Sequence, residues 1–322
     1  MKRIGVLTSG GDAPGMNAAV RAVVRTCVFK NIEIYGICEG YKGLIDGNIN
    51  PLSSTDVSNI IQRGGTILKS SRSQEFFDVE GRKKAHQNIQ KFELDGIVTI
   101  GGDGTFTGAS IFNQEYSSSI VGIPGTIDND LFGTDYTIGY DTALNTVVEA
   151  VDKIKDTASS HNRLFIIEVM GKDAGFIALN SGIGVGADAI LIPETPTYIN
   201  QLIKKLDNGN SHKSSMIVIV AEGDDAGGAY EVAKKLKEEC PKYDSRVTIL
   251  GHIQRGGSPS AMDRVLASRM GNAAVNALLE NKSNVMIGII DKQIAYTPFE
   301  KSIKHHNKIN KSLLDLTEIL SY

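Results

Sequence analysis

The chain has 322 residues, of which 41% are hydrophobic and 22% are charged, and its formal net charge at pH 7 is −3. This length exceeds the usual size of one hydrophobic core, so one large or two moderate domains are expected. The slightly acidic charge argues against a nucleic-acid partner, because such a partner requires a broad basic surface.

The N-terminal residues become polar and rich in glycine too early for a signal peptide, and no apolar run approaches the length of a membrane span. Cys27, Cys38 and Cys240 are scattered and odd in number. Without an export signal they are interpreted as reduced thiols, and neither as a disulfide framework nor as a metal site. We therefore expect a cytoplasmic protein without a membrane partner.

Short apolar runs alternate with helix-length segments along the chain. Apolar residues recur at helical spacing most clearly over 141–159, and the segments 18–30 and 302–322 also indicate helices. Strands that alternate with helices predict βαβ units and mostly parallel sheets. The predicted strands, in chain order, are 4–8, 33–38, 96–100, 120–123, 164–169, 216–221, 247–250 and 285–290.

Two predicted strands end in glycine-rich loops that lead into helices. Residues 9–17 follow the first strand, and glycine there lets a ligand approach the backbone near a helix N-terminus. A tight turn between strand and helix is the alternative interpretation of this loop. Residues 101–105 follow the strand at 96–100, and Asp103 among their glycines is suited to Mg²⁺ and phosphate. Neither loop has the Walker A or the dinucleotide-binding spacing.

The loop at 124–130 presents a hydroxyl and two carboxylates directly after an apolar strand. Ligands of open α/β sheets bind at the carboxyl ends of strands. One carboxylate could act as a base while the other holds a cation or positions the base. The same residues are also ordinary turn formers, since aspartate and asparagine side chains bond to their own backbone. The loop alone leaves both interpretations open.

Several cationic side chains could bind phosphate, which arginine grips in bidentate fashion. A single surface arginine such as Arg72 or Arg163 usually has no such role. His252 and Arg255, by contrast, stand together in a glycine-rich segment directly after a strand. Glu222 ends another strand and could accept hydrogen bonds from sugar hydroxyls, or could be a solvated acid.

Taken in their order along the chain, these segments resemble the bacterial ATP-dependent 6-phosphofructokinase family. The resemblance runs from residue 1 to about residue 300. It implies transfer of the γ-phosphoryl group of MgATP to the 1-hydroxyl of fructose 6-phosphate, which gives fructose 1,6-bisphosphate and ADP in the committed step of glycolysis. The segments that carry it are 8–17, 63–72, 101–105, 124–130, 170–171, 221–223 and 251–259, with Asp263-Arg264.

The resemblance also implies an α/β fold of two lobes, each a mostly parallel sheet covered by helices, with the active site in the cleft between them. The larger, ATP-binding lobe would comprise residues 1–138 and 256–304. The smaller, sugar-phosphate-binding lobe would comprise 139–255 and 305–322. A homotetramer with active sites shared between subunits is expected.

The resemblance further implies a role for each residue of the active site. Asp128 would be the base, Thr126 and Asp130 would hold the sugar and the metal site, Gly11 and Arg72 would stabilise the transferred group, and Asp103 would hold Mg²⁺. Arg163 and Arg246 would reach in from a neighbouring subunit. The implied nucleotide residues are Gly11, Tyr41, Arg72, Ser73, Gly102, Asp103, Gly104, Thr105 and Gly108. The implied substrate residues are Thr126, Asp128, Asp130, Arg163, Met170, Gly171, Glu222, Arg246, His252 and Arg255.

Four positions bear on the phosphoryl donor and on departures from the family pattern. Pyrophosphate-using relatives carry aspartate and lysine where this chain has Gly104 and Gly125, so these glycines favour ATP. Lys172 replaces an arginine and loses its planar fork. Phe77 stands where relatives often have a basic residue near the nucleotide.

Relatives also carry a pocket between subunits that binds ADP or phosphoenolpyruvate. Here Lys155 replaces an arginine, Asp188 replaces a glutamate, and the loop at 208–215 is short and poor in positive charge. Weak or altered allosteric control is therefore expected. The implied effector residues are Arg21, Arg25, Lys155, Gly186, Asp188 and Lys213.

Two other classes of protein fit part of the sequence. Kinases of the NAD or diacylglycerol type share the loop at 101–105, but they do not explain 124–130 or 251–259. A two-lobed sugar-binding module would have no need for Asp128 beside a nucleotide loop.

Overall fold

The computed structural model describes residues 1–158, 163–209, 215–304 and 308–320. They form two compact units, each assembled from separate stretches of chain. The first unit takes the described residues of Met1–Thr126, Leu131–Thr142 and Arg255–Asn307. The second takes those of Ile127–Asp130, Ala143–Gln254 and Lys308–Tyr322.

The strands form one sheet in each unit. Their bounds are β1 Arg3–Thr8, β2 Glu33–Ile37, β3 Ile49–Leu52, β4 Gly96–Gly101, β5 Ile120–Pro124, β6 Leu164–Val169, β7 Ala189–Leu191, β8 Met216–Ala221, β9 Ser245–Ile249, β10 Val285–Ile290 and β11 Gln293–Pro298. The first sheet has the order β11-β10-β5-β4-β1-β2-β3, and the second has the order β7-β8-β6-β9. Neighbouring strands are parallel except for the edge pairs β2–β3 and β10–β11.

Helices connect most of the strands, as parallel pairing requires. Their bounds are α1 Met16–Phe29, α2 Gly40–Asp46, α3 Val79–Lys91, α4 Asp103–Tyr116, α5 Tyr140–Ala158, α6 Phe176–Gly184, α7 Ile199–Gly209, α8 Gly228–Glu239, α9 Ala261–Leu279, α10 Phe299–Lys304 and α11 Lys311–Leu320. Short 3₁₀ helices cover Glu75–Phe77 and Gly251–Arg255. None of the helices in the described part of the chain is long and apolar enough to cross a membrane.

The core of the first unit lies around β4 and β5, whose residues are all buried. Gly122 allows two aromatic rings to pack on β5, because a Cβ atom there would lie 2.5 Å from the ring of Phe106 and 2.7 Å from that of Phe299. These rings stack with their centroids 5.2 Å apart. Gly271 similarly lets α9 approach α1, since its Cβ would lie 2.6 Å from that of Ala22.

The α/β class with mostly parallel sheets flanked by helices, predicted from the sequence, is confirmed. Every predicted strand is present, with shifts of a few residues at most. The prediction missed β3, β7 and β11. The prediction of one helix over 302–322 is wrong, because α10 ends at Lys304 and residues 308–310 are not helical. A new helix starts there because Asn310 Oδ1 accepts a hydrogen bond from the amide of Ser312 at 3.0 Å.

Candidate active site

The carboxyl ends of β1, β4 and β5 lie side by side in the first sheet, so their loops meet. The amide of Ser9 donates to the carbonyl of Ile100 at 2.9 Å, and the amide of Gly125 donates to that of Gly101 at 3.0 Å. A Cβ at Gly101 would lie 2.5 Å from the Ser9 carbonyl oxygen, so only glycine permits this approach. The three polar loops singled out in the sequence therefore share one edge of the sheet.

The loop after β1 lies against Arg255. A Cβ at Gly11 would come within 2.7 Å of the Arg255 guanidinium, which also donates to the carbonyl of Asp12 at 3.2 Å. The hydroxyl of Ser70 donates to the carbonyl of Gly10 at 2.6 Å. Gly11 itself is exposed. This loop thus presents open backbone with a cation beside it, which suits a phosphate group.

Asp103 is the first residue of α4, and Gly102 precedes it in extended conformation. Its Oδ1 is shielded from solvent and has no hydrogen-bond partner among the described residues. A buried acceptor without a partner is costly unless a ligand satisfies it. A Cβ at the neighbouring Gly104 would meet no atom within 4 Å. The start of α4 therefore combines an acceptor for a cation with open space.

The two aromatic rings behind this loop are those of Tyr41 and Phe76. They stack with centroids 4.0 Å apart, and the Tyr41 hydroxyl donates to the carbonyl of Thr105 at 2.6 Å. Burial raises the pKa of Tyr41, so the hydroxyl stays a donor. A Cβ at Gly108 would lie 3.2 Å from Tyr41 and 3.3 Å from Phe76. The aromatic pair packs against the loop, and a side chain at Gly108 would require the rings to shift by a few tenths of an ångström.

The segment that carries Arg72 is more open. Arg72 and Phe77 are exposed, and Ser73 is half-buried with its hydroxyl accepting from the amide of Phe76 at 3.3 Å. Arg82 of α3 holds this segment from behind by donating to the carbonyls of Phe76 at 3.0 Å and Phe77 at 2.7 Å. The Arg72 guanidinium itself forms no ion pair with any of the described residues.

The loop after β5 divides between the two units at Ile127. In the first unit, the Thr137 hydroxyl donates to the carbonyl of Thr126 at 2.6 Å, and a Cβ at Gly102 would lie 3.5 Å from that of Thr126. In the second unit, Asp128 is half-buried with one carboxylate oxygen shielded from solvent. Asp130 is also half-buried.

The implied sugar residues of the second unit gather at the carboxyl ends of β6 and β8. Oε1 of Glu222 accepts from the amides of Gly171 at 3.3 Å and Lys172 at 2.7 Å, and Oε2 makes no hydrogen bond within the described chain. The Lys172 ammonium is exposed and lies 3.8 Å from Asp173. Glu222 therefore holds the backbone of the loop with Oε1, and Oε2 could accept a hydrogen bond from a ligand.

Gln254 joins this group, although neither its residue type nor its place in the segment 251–259 indicates such a role. It is fully buried, its Oε1 accepts from the amide of Met170 at 3.2 Å, and its amide group donates to the carbonyl of Gly251 at 3.1 Å. Gly251 has a φ of +51°, which glycine adopts readily. This pairing links the loop after β6 to the short helix of His252, whose side chain is exposed.

Arg163 and Arg246 lie at the opposite edge of the second sheet, where β6 and β9 begin. They share one acid: Asp244 accepts from Arg163 Nε at 3.1 Å and from Arg246 Nη1 at 2.6 Å. The six residues of β6 separate Arg163 from Met170, which is roughly 20 Å at the usual rise of a strand. Within one chain, the two arginines and the loop of Met170 are therefore too far apart to contact the same small ligand.

The implied effector residues fall into two groups. Arg21 and Arg25 lie on α1. Desolvation lowers the pKa of Arg21, and the positive charge of Arg25 lowers it further. An open surface pocket of about 400 Å³ is lined by Arg25, Phe29 and Ser58 among others.

The other effector residues belong to the second unit. The Lys155 ammonium donates to the carbonyl of Val185, next to Gly186 with a φ of +57°. Asp188 accepts from the amide of Ile217 at 2.7 Å, so part of its carboxylate has a structural role. Lys213 and the segment 210–214 of the predicted loop lie outside the described residues.

Exposed glycine loops, a shielded aspartate oxygen and an arginine beside one of the loops are features typical of phosphate sites in α/β proteins. Residues 3–278 match the family model described as Phosphofructokinase, and the chain belongs to the phosphofructokinase family.

Similar proteins carry names that agree with this family. The chain is 58% identical to an ATP-dependent 6-phosphofructokinase of Cytophaga hutchinsonii, over 100% of this chain and 98% of that protein. It is 56% identical to ATP-dependent 6-phosphofructokinase 2 of Bacteroides thetaiotaomicron, over 100% and 99%. It is 53% identical to ATP-dependent 6-phosphofructokinase 1 of Thermus thermophilus, over 100% of both chains.

Solved structures share the fold. Phosphofructokinase from Saccharomyces cerevisiae matches with a TM-score of 0.89 and 39% identity, over 100% of this chain and 47% of the yeast chain. The chain thus spans about half the length of that protein. A pyrophosphate-dependent phosphofructokinase from Marinobacter aquaeolei matches with a TM-score of 0.85 and 23% identity, over 97% and 86%, and shows the fold alone.

Proposed function

We propose that this chain is an ATP-dependent 6-phosphofructokinase, which transfers the γ-phosphoryl group of MgATP to the 1-hydroxyl of fructose 6-phosphate. The observation that carries the proposal is the meeting of the Gly11, Gly102–Thr105 and Thr126 loops at one sheet edge, with Arg255 beside Gly11. Full-length identity of 50–58% to proteins of that name supports it. The reaction places the enzyme in glycolysis.

In the proposed reaction, Asp128 accepts the proton of the 1-hydroxyl as the sugar oxygen bonds to the γ-phosphorus. The bond from that phosphorus to the ADP oxygen breaks, and its electrons leave with ADP. Phosphoryl transfer requires mainly positioning and neutralisation of charge. The Gly11 backbone and Arg72 are assigned to the transferred group by the family resemblance, and both are exposed. Thr126 and Asp130 are assigned to the sugar.

Asp103 is the residue assigned to Mg²⁺, whose use the family implies. Its shielded Oδ1, which lacks a partner within the described chain, fits a cation. The described residues include no cluster of three or more metal-ligating side chains, which agrees with an ion held by one carboxylate, phosphate oxygens and water. When bound, Mg²⁺ neutralises charge on the phosphates of the donor.

We assign the nucleotide to residues of the first unit, and the sugar phosphate to the residues that the family resemblance implies. The nucleotide lies along Gly102–Thr105, Gly108 and Ser73, with Tyr41 beneath. Met170, Gly171 and Glu222 line the sugar, and His252 with Arg255 binds its phosphate. The proposed lobes are those expected from the sequence. Residues 1–138 and 256–304 would bind the nucleotide, and residues 139–255 and 305–322 would bind the sugar phosphate.

Arg163 and Arg246 are assigned to the sugar phosphate of a second copy. The roughly 20 Å between them and the loop of Met170 along β6 supports this assignment, since no side chain spans that distance. The proposal therefore includes a homo-oligomer, a homotetramer by family resemblance, whose active sites are shared.

ATP as the donor is supported by the space at Gly104, where a side chain would enter an open region. At Gly125 the structure supplies a different reason for glycine. A Cβ there would lie 3.0 Å from the side chain of Ile100 and 3.1 Å from that of Met16, so a larger residue would require these side chains to shift by a few tenths of an ångström.

Control by ADP or phosphoenolpyruvate is proposed to be weak, because Lys155 and Asp188 both bond to backbone groups of their own chain. A reducing cytoplasmic setting agrees with Cys27, Cys38 and Cys240, which are free thiols.

A coupled assay tests the proposal directly. Purified enzyme with MgATP and fructose 6-phosphate should form ADP and fructose 1,6-bisphosphate, and EDTA should stop the reaction. Pyrophosphate in place of ATP should give no product. Product that forms with pyrophosphate but not with ATP would refute ATP as the donor. The absence of product with either donor would refute the proposed function.

A further inference from the structure

Asp263 is a fully buried carboxylate in the first turn of α9. Its Oδ1 accepts from the amide of Gly139 at 2.8 Å, and its Oδ2 accepts from the amide of Thr142 at 2.8 Å and from the Thr142 hydroxyl at 2.5 Å. Burial raises the pKa of Asp263, and these neutral donors oppose the rise. A buried carboxylate is costly unless it is hydrogen-bonded, and these three bonds offset that cost only while the donors keep their places.

The donors belong to the start of α5, so Asp263 caps a helix other than its own. The first amides of a helix have no partner within it. Ser260, the N-cap of α9, completes the link: its hydroxyl accepts from the amide of Asp263 at 3.1 Å, and its amide donates to the Thr142 hydroxyl at 2.9 Å. The starts of the two helices are therefore fixed to each other.

The segment 137–142 is also joined to the loop after β5. The Thr137 hydroxyl donates to the carbonyl of Thr126 at 2.6 Å, and the amide of Ile138 donates to the carbonyl of Pro124 at 2.9 Å. Any displacement of 137–142 therefore moves the backbone on which Thr126 stands.

The same segment touches the loop after β1. A Cβ at Gly139 would lie 2.7 Å from that of Ala13, and a Cβ at Gly15 would lie 2.7 Å from Ile138 and 3.6 Å from the Asp263 Cβ. Both glycines have left-handed φ values, +102° and +106°. Through residues 137–142, Asp263 is thus connected to both the loop that carries Gly11 and the loop that carries Thr126.

We propose that Asp263 is a positioning residue for phosphoryl transfer, which fixes residues 137–142 and through them the places of Thr126 and of the Gly11 loop. This inference rests on the proposed function. Misplacement by about 1 Å at a reacting centre can lower turnover by a factor of about 10². Asp263 touches no reacting group itself, so its loss acts on kcat more than on ground-state binding.

The variant Asp263→Asn tests the inference, because it keeps the size of the side chain but turns an NH₂ group toward donors. We expect kcat to fall about 10–100-fold, while KM for ATP and for fructose 6-phosphate changes less than about threefold. Hydrogen exchange of peptides that cover 124–142 should become faster.

A second pair of variants covers the case in which Asp263→Asn does not fold. Thr142→Val removes the hydroxyl at constant size and should lower kcat by about 3–10-fold. Thr142→Ser keeps the hydroxyl and should stay within about twofold of the wild type.

Leu278→Ala is the matched control. Leu278 is fully buried at the other end of α9, so its truncation lowers Tm without touching residues 137–142. Its kcat should stay within about twofold of the wild type. Normal kcat in folded Asp263→Asn, or an equal loss in Leu278→Ala, overturns the inference.

Failure of the proposed function gives a different result. A wild type inactive with ATP and fructose 6-phosphate refutes that function. Faster exchange over 124–142 in Asp263→Asn alone would then still support the structural link, and unchanged exchange would overturn it.

Discussion

Asp128 carries the sharpest prediction at the level of a single side chain. The variant Asp128→Ser should lower kcat by roughly 10²–10⁴-fold, since the proton of the attacking hydroxyl loses its acceptor. ATP binding, measured by calorimetry, should change little, because the nucleotide is assigned to other residues. Near-normal turnover in this variant would contradict the assignment of the base.

Gly104 and Gly125 give a contrasting pair of predictions. Gly104→Ala adds a methyl group to open space in the first turn of α4, so Tm should not fall, and KM for ATP should rise if the nucleotide uses that space. Gly125→Ala meets Ile100 and Met16 at 3.0–3.1 Å, so stability should fall by about 1–3 kcal/mol. Thermal unfolding and steady-state kinetics of both variants measure the two effects. Equal Tm values would contradict the packing argument.

Motif residues could be predicted from the sequence, but their partners could not. Gly11, Asp103 and Asp128 stand at the ends of apolar runs, and the carboxyl end of a strand is where ligands bind. Gln254 and Asp263 lie in segments that carry the family resemblance, but their hydrogen-bond partners, such as the amides of Met170 and Gly139, are far away in the chain. No local pattern marks such a partner, because it depends on how the sheets bring the loops together.

Helices α3 and α4 are held together by Arg82 and Glu115. The guanidinium donates two bonds of 2.7 Å to the carboxylate, which lowers the pKa of Glu115. A lowered folded-state pKa contributes stability that is present above the ordinary value near 4.5 and is lost as pH falls through the folded value.

Glu115→Gln should therefore destabilise the protein by about 1–2 kcal/mol at pH 7, and the difference from the wild type should shrink as pH is lowered below 4.5. Urea unfolding at several pH values measures this. Glu80→Gln is the control, because Glu80 is exposed and lies 3.7 Å from Lys83. A difference that is constant with pH would contradict the role of the charge.

Strands buried on both faces were the easiest elements to predict. β4, β5 and β8 are continuous apolar runs of ordinary strand length. The missed strands are short or lie at edges: β3 contains Pro51, and β7 has three residues. All three lie at sheet edges, where a strand is hydrogen-bonded on one side only and therefore tolerates proline and polar residues. The interruption of the predicted C-terminal helix depends on a cap at Asn310 that a periodicity argument overlooks.

At the level of the whole assembly, the proposed sharing of sites predicts complementation between two defective variants. Arg163→Ser should mainly weaken fructose 6-phosphate binding, and Asp128→Ser should abolish turnover. If each site takes Asp128 from one copy and Arg163 from another, equal co-expression of the two variants regenerates roughly one quarter of the sites. Activity at low fructose 6-phosphate, measured on oligomers purified through both of two tags, tests this.

Co-expression of Asp128→Ser with Asp128→Asn is the control and should restore nothing. A mixture of Arg163→Ser and Asp128→Ser that is no more active than its components would contradict shared sites.

The position of β10 in the first sheet has a consequence for how the chain is made. β5 pairs with β10, yet the bulk of the second unit, Ala143–Gln254, lies between them in the sequence. At about 5–20 residues per second on the ribosome, β5 keeps an open apolar edge for on the order of ten seconds. Open strand edges are where chains pair with the wrong partner. Slow codons between residues 143 and 284 would lengthen that exposure, so rapid translation of this stretch favours correctly folded product.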